Sequence, residues 1–330
     1  MHSQMPQYSL AAPRIAVLGG GHGLSALLRG IKNHAADLAA IITVADDGGS
    51  SGMLRRELGV LPPGDFRNCL AALADSEALM TRLFQYRFGR GSGLSGHSFG
   101  NLFITAMAEI SGSFERGLAE SSEVLAVQGR VLPSTLQDVT LVAHMREAQN
   151  GNLSRVAGES RIPQASGVIE RVFLEPEDAP AYPEAVRAIL RADLVIAGPG
   201  SLYTSVLPNL LVSGIAEAVR ASRALKVYVC NVATQKGETD AYTVGDHVAA
   251  LDAHLGPGVF SVVLANDSLG HELPQGVAMV EPDAVAEATY RLVTTNLLAP
   301  DCAWRHDPAR LRHAILDLYQ TERTLERLSS

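Results

Sequence analysis

The stretch Arg14 to Gly52, RIAVLGGGHGLSALLRGIKNHAADLAAIITVADDGGSSG, decides the fold. Ile15 to Leu18 is a continuous apolar run, the pattern of a strand buried on both faces. It empties into Gly19, Gly20, Gly21 and Gly23, after which Leu24 to Lys32 carries apolar residues at helical spacing. Ala39 to Val44 is a second apolar run, ending in Asp46-Asp47-Gly48-Gly49-Ser50-Ser51-Gly52. Strand, glycine turn, helix, strand and acidic loop are the opening of a doubly wound sheet, whose ligands gather at the carboxyl ends of the strands.

Outward from that unit, Met53 to Leu61 is mixed in character and stops at Pro62-Pro63. Helices are predicted over 66–74, 76–88, 101–110 and 113–127. The third is apolar on nearly every face and is expected to be central and buried. Between 130 and 176 the pattern changes to alternation, as in Val139, Leu141 and Ala143, which predicts an insertion of short antiparallel strands. Helix 183–190, strand 193–197, helix 212–222, strand 226–230, helix 244–254 and strand 259–264 then restore an α/β rhythm, which implies parallel order. Leu311, Ile315, Leu318 and Leu325 predict a C-terminal helix over about 308–327, packed onto the body or onto a second copy of the chain. The expectation is a disordered lead over 1–13 and a single α/β domain over 14–330.

Composition excludes several classes. The 330 residues carry a formal charge of −8, against a nonspecific nucleic-acid binder, which needs a basic face. Cys69, Cys230 and Cys302 are too few and too scattered for a disulfide framework or a zinc site. No apolar run reaches the roughly 18 residues of a spanning helix, and the N-terminus lacks the pattern of a signal peptide. A cytoplasmic location, with no membrane insertion, is expected.

The candidate binding residues lie in loops at the predicted strand ends. Gly20, Gly21, His22, Gly23 and Leu24 open the first helix, where glycines and free N–H groups suit a phosphate. Gly21-His22-Gly23-Leu24-Ser25-Ala26 also approaches the dinucleotide fingerprint, so NAD is one reading, with Asp46 as the ribose acid. Asp46 and Asp47 could instead grip a sugar hydroxyl or hold Mg²⁺ against a diphosphate. Gly48, Ser50 and Ser51 offer an anion nest. In the Gly64–Asn68 loop, Asp65 suits a helix cap, Arg67 a phosphate and Asn68 a base or sugar. His97, with Ser98 and Asn101, precedes the apolar helix and is either an acid, base or phosphate donor, or a helix cap. Gly198, Pro199, Gly200, Ser201, Tyr203 and Thr204, with Asn231 and Thr234, complete a composite cleft. No serine hydrolase triad is visible around Ser98 or Ser201.

Together these loops resemble a known family. GGGHGLS, VADDGGSSGMLR, PPGDFRNCL, GHSFGNL, GES at Gly158–Ser160, ADLVIAGPGSLYTSVLPNLLV and CNVATQKGETDAY occur in family order across roughly Arg14 to His313. They are similar to the gluconeogenesis factor (YvcK-like) proteins, within the superfamily of 2-phospho-L-lactate transferase (CofD). The resemblance implies a Rossmann-like three-layer α/β fold with a mainly parallel sheet. It also implies a UDP-sugar ligand, notably UDP-N-acetylglucosamine, and a regulatory role in growth and cell shape on gluconeogenic carbon sources. The transferase branch implies the alternative: a Mg²⁺-dependent enzyme using a guanosine diphosphate (GDP) carrier. Two departures stand out, His22 where relatives commonly have Thr, and Pro308 where a hydroxyl residue can occur. Trp304-Arg305-His306-Asp307 resembles a terminal Arg-His-Asp stretch and makes Arg305 the candidate for the diphosphate. No cofactor is required on the regulatory reading.

Overall fold

Strand β1 (Arg14–Gly19) lies at the centre of the sheet because its run Ile15–Leu18 has no polar side chain to present to water; all four residues are buried. The computed structural model describes residues 11–75, 78–91, 93–147, 151–283 and 289–329. The proposed lead over 1–13 falls mostly outside them.

In chain order, β1 leads to α1 (Gly21–Ile31), β2 (Asp37–Ile42), α2 (Gly49–Leu58), α3 (Gly64–Leu73), α4 (Ala78–Gln85), α5 (Phe99–Ser111) and α6 (Phe114–Val124). Then come β3 (Arg130–Pro133), β4 (Thr140–Arg146), β5 (Leu153–Ala157), β6 (Val168–Glu175), α7 (Pro183–Arg191) and β7 (Leu194–Ala197). A π-helical turn, Leu202–Val206, runs into α8 (Leu207–Leu210), followed by α9 (Ile215–Ala221), β8 (Leu225–Val229), α10 (Val244–Leu255) and β9 (Val262–Asn266). The chain ends in β10 (Arg291–Thr295), a hairpin of β11 (Leu298–Ala299) and β12 (Cys302–His306), and α11 (Pro308–Ser329).

Seven strands pair in the order β10-β9-β8-β7-β1-β2-β3, every pair parallel. From β1 the chain first moves outward through β2 and β3, then returns to place β7 on the other side of β1 and moves outward again. Right-handed crossovers in the two directions put helices on both faces. On one face α1 packs against α3 and α11, and on the other α7 packs against α9, giving three layers. The order reverses between β1 and β7. Loops leaving their carboxyl ends diverge to opposite faces there, which opens a crevice.

Several predicted boundaries change. The 130–176 segment is not wholly an antiparallel insertion, because β3 pairs in parallel with β2 through Ala39–Arg130 and belongs to the main sheet. The antiparallel part is the separate sheet β5-β4-β6. Gly49 to Gly52 are the first turn of α2 rather than a loop, with Gly48 as N-cap. Helix α5 is not buried all round: Ile110 is 80 % exposed, since α3, α4 and α6 cover only part of its surface. Predicted helix 212–222 is broken before α9 by Gly214, at φ +92°. Among the described residues, no helix is long and apolar enough to cross a membrane.

Candidate functional site

The crevice between β1 and β7 is an open cleft of about 630 Å³, within the size range of small-molecule sites. Its base depends on a close approach of two turns. A Cβ on Gly23 would lie 2.7 Å from the Pro199 carbonyl oxygen and 3.2 Å from Gly200 N, so glycine lets α1 start directly on the Gly198–Gly200 turn. Asn231, just beyond β8, fixes that turn from the other side. Its Oδ1 accepts from Gly200 N at 3.1 Å and its Nδ2 donates to the Gly200 carbonyl at 2.9 Å. Gln235 extends the brace, donating to Ser201 Oγ at 2.6 Å and accepting from Asn231 Nδ2.

One wall is acidic. Gly48 N donates to Asp46 Oδ1 at 2.9 Å, which seats the carboxylate at the N-terminus of α2. Asp65, in the first turn of α3, accepts from the backbone N–H of Gly21 at the start of α1. Three helix N-termini therefore meet beside two carboxylates. Burial raises Asp46 despite its bonds to Gly48 and Ser51. Burial, reinforced by the Asp46 charge, raises Asp65 to about 7. Glu159, from the loop after β5, completes the wall; burial and the charges of Asp46, Asp65 and Glu238 raise it to about 8.

The opposite wall is basic. Arg29 lies seven residues after His22 on α1, so the two share a helix face, with Ala26 between them, and all three line the cleft. Arg305 joins them from the β11–β12 hairpin, with Trp304 beside it. Burial and the charges of Arg305, Arg67 and Arg29 lower His22, keeping its imidazole neutral at physiological pH. The hairpin is anchored by its neighbours in sequence. His306 is buried and its Nε2 lies 3.2 Å from the Cys230 carbonyl; desolvation lowers it to about 4, so the neutral ring donates that bond. Asp307 Oδ1 accepts from Arg310 N at 2.8 Å and caps α11. Of the Arg-His-Asp stretch, Arg305 and the edge of the His306 ring line the cleft, and Asp307 does not.

The sequence candidates divide accordingly. Gly20, Gly21, His22, Gly23, Asp46, Asp65, Gly200, Ser201, Thr204, Asn231, Thr234 and Arg305 line the cleft. The others do not line it. Leu24 is core, Gly198 and Pro199 are the buried residues of the turn, and Tyr203 is buried with its hydroxyl 2.8 Å from Tyr242. Arg67 is buried and donates to Asn68 Oδ1, at 2.9 Å. His97 is buried with Nδ1 3.2 Å from Ser50 Oγ, and Ser98 Oγ caps α5 by accepting from Asn101 N. Ser51 Oγ accepts from Gly64 N at 3.0 Å.

Asp47 also turns away, accepting from Ser160 N at 2.8 Å. The adjacent pair Asp46-Asp47 therefore does not form a two-carboxylate face; the acids that line the cleft from α2 and α3 are Asp46 and Asp65. Mg²⁺ commonly takes one or two carboxylates plus phosphate oxygens, and Asp46 with Asp65 fits that donor set. Among the described residues, no group of three or more His, Cys, Asp or Glu is placed to hold a metal. Arg29, Glu159, Ser205, Gln235 and Trp304 line the cleft without having been singled out. Arg29 is readable from its helical spacing; Glu159 stands in the GES motif, but only tertiary folding brings its loop to Asp46.

A parallel α/β protein with its cleft at the switch point is the class that fold and site define. Residues 15–298 match the family described as 2-phospho-L-lactate transferase CofD. A gluconeogenesis factor from Halalkalibacterium halodurans is 46% identical over 92% of this chain and 95% of its own length. A gluconeogenesis factor from Bacillus subtilis is 54% identical over 77% of this chain and 78% of its own. The crystal structure of a UPF0052 family member from Bacillus halodurans superposes with a TM-score of 0.83 at 45% identity, covering 92% of this chain and 98% of that one. The chain belongs to the CofD family, in its gluconeogenesis factor branch.

Proposed function

We propose that the protein is a cytoplasmic regulatory protein that binds a UDP-sugar, UDP-N-acetylglucosamine in particular, and acts as a gluconeogenesis factor in growth and cell shape on gluconeogenic carbon. The observation that supports it best is the two-ended cleft. Arg29, Arg305 and neutral His22 offer a diphosphate charge and donors beside the α1 N-terminus. Asp46, Asp65 and Glu159 face them, groups suited to hydroxyls and amides rather than to anions. The relatives' name supports the physiological role.

The Asp46 and Asp65 pair favours a second reading, a Mg²⁺-dependent transferase of the phospholactate type. Those two carboxylates would hold the ion, whose chemistry is to draw charge from a bound diphosphate. Titration calorimetry with UDP-N-acetylglucosamine, NAD and GDP, each with and without Mg²⁺, separates the readings. Mg²⁺-independent UDP-sugar binding is expected, and its absence from the folded protein sinks the proposal. Arg305→Ala should weaken that complex by roughly 1.5–3 kcal/mol, the scale of a charge-assisted hydrogen bond. Unchanged affinity would remove Arg305 from the site.

A further inference from the structure

Among the described residues, Glu159 is the one cleft residue contributed by the antiparallel sheet and its loops, and its own loop is held from several sides. Gly158 N donates to the Leu141 carbonyl at 2.8 Å, and the Gly158 carbonyl accepts from Arg161 N and Ile162 N at 3.1 and 3.2 Å. Gly158 adopts φ +109°, and a Cβ there would collide with the Asp47 carboxylate. That same carboxylate accepts from Ser160 N, and Gln164 Nε2 donates to the Ser160 carbonyl at 2.8 Å. The residues on both sides of Glu159 are thus fixed by the backbone of β4, by Asp47 and by the following turn. Among the described residues the Glu159 carboxyl has no hydrogen-bond partner; it is half-buried and lines the cleft. An unpartnered carboxyl on so rigid a loop is held ready for something that enters the cleft.

The surroundings say what that is. The charged groups that act on Glu159 most strongly are themselves acids, Asp46, Asp65, Glu238 and Asp47. Phosphate would be repelled from that corner and drawn to Arg29 and Arg305 opposite. With its carboxyl raised to about 8, Glu159 is mainly neutral at pH 7 and both donates and accepts a hydrogen bond. The complementary ligand groups are hydroxyls and amides, which also do both.

We propose that Glu159 is the specificity-determining residue for the sugar, reading its hydroxyl or acylamino groups, and that Asp47 is its positioning residue. The assignment rests on the UDP-sugar reading above. It orients the ligand, with the sugar toward the antiparallel sheet, the diphosphate between α1 and Arg305, and the nucleoside toward the β11–β12 hairpin. It also gives the antiparallel sheet a purpose, as the element that tells one nucleotide sugar from another.

The test compares UDP-N-acetylglucosamine with UDP by calorimetry on the full chain. Glu159→Ala should weaken the sugar nucleotide by about tenfold or more, the scale of one lost hydrogen bond to a buried partner. UDP affinity should change by less than about twofold, because no Glu159 contact falls on it. Glu159→Gln, which keeps a donor and an acceptor, should recover most of the loss. Asp47→Ala should reproduce the selective loss of the sugar nucleotide with UDP unaffected, a split that general loosening of the fold would not produce. Equal weakening of both ligands, or of neither, overturns the role of Glu159 while leaving UDP-sugar binding intact. A wild-type protein that binds neither ligand overturns the underlying reading, and this inference with it.

Discussion

Replacing Glu238 by Gln isolates the cost of one buried carboxyl. Glu238 lies behind Thr204, whose Oγ1 donates to its Oε1 at 3.1 Å, and the backbone N–H groups of Tyr203 and Thr204 also donate to the carboxylate. Its Oε2 is buried with no hydrogen-bond partner among the described residues. Desolvation outweighs those bonds and raises the carboxyl from 4.5 to about 7. Below pH 4.5 the group is protonated in the folded and unfolded chain alike and costs nothing. As pH rises toward 7 the unfolded chain releases its proton first, so stability falls; above 7 the loss is complete. At about 1.36 kcal/mol per pH unit the full effect is about 3 kcal/mol. Gln cannot ionise and keeps an oxygen for Thr204. The stability of Glu238→Gln relative to wild type should therefore rise by about 3 kcal/mol between pH 4.5 and 8. Urea denaturation at pH 4.5, 6, 7 and 8 reads this directly, and parallel curves for the two proteins would refute the argument. Asp65 and Glu159, raised to about 7 and about 8, act with the same sign, so the variant should retain part of the wild-type decline.

Two further outcomes are expected. Gly23→Ala pushes a methyl against the Pro199–Gly200 backbone, which cannot swing aside as a side chain can, and should cost about 1–3 kcal/mol. Gly21→Ala meets no atom within 4 Å and carries only the strain of φ +66°, about 1–2 kcal/mol at most, so denaturation should rank Gly23→Ala the more damaging. Trp304 is the chain's single tryptophan and is 43 % exposed in the cleft wall, so UDP-N-acetylglucosamine should change its emission. Constant emission at saturating ligand would place the nucleoside away from the hairpin.

The α/β class followed from local pattern alone. Apolar runs such as Ile15–Leu18 and Leu194–Ala197 have one economical environment, a sheet covered on both faces, and the glycines after β1 announce a turn that approaches something closely. Arg29 was also legible, since helical geometry puts it on the face of His22. Strand membership was less so. Arg130 to Pro133 reads like the alternating segment that follows it, and only the open edge of β2 draws it into the parallel sheet. β10 and the hairpin carry too few apolar residues to stand out by periodicity. Within the site, sequence adjacency misled at Asp46 and Asp47: Gly48 N holds the Asp46 carboxylate at the cleft while Ser160 N holds that of Asp47, so one lines the cleft and the other braces the Gly158–Arg161 loop. Arg67 shares a motif with the cleft residue Asp65 yet is buried, and the whole His97–Asn101 motif stays out of the cleft, because a motif fixes a stretch of backbone while burial is decided by whatever packs over it. The sequence by itself determined the strand–turn–helix grammar and the family, through local propensity and motif order. Only the tertiary structure decided which polar groups meet, because Glu159, Asp65 and Arg305 are distant in the chain and converge solely where the strand order reverses.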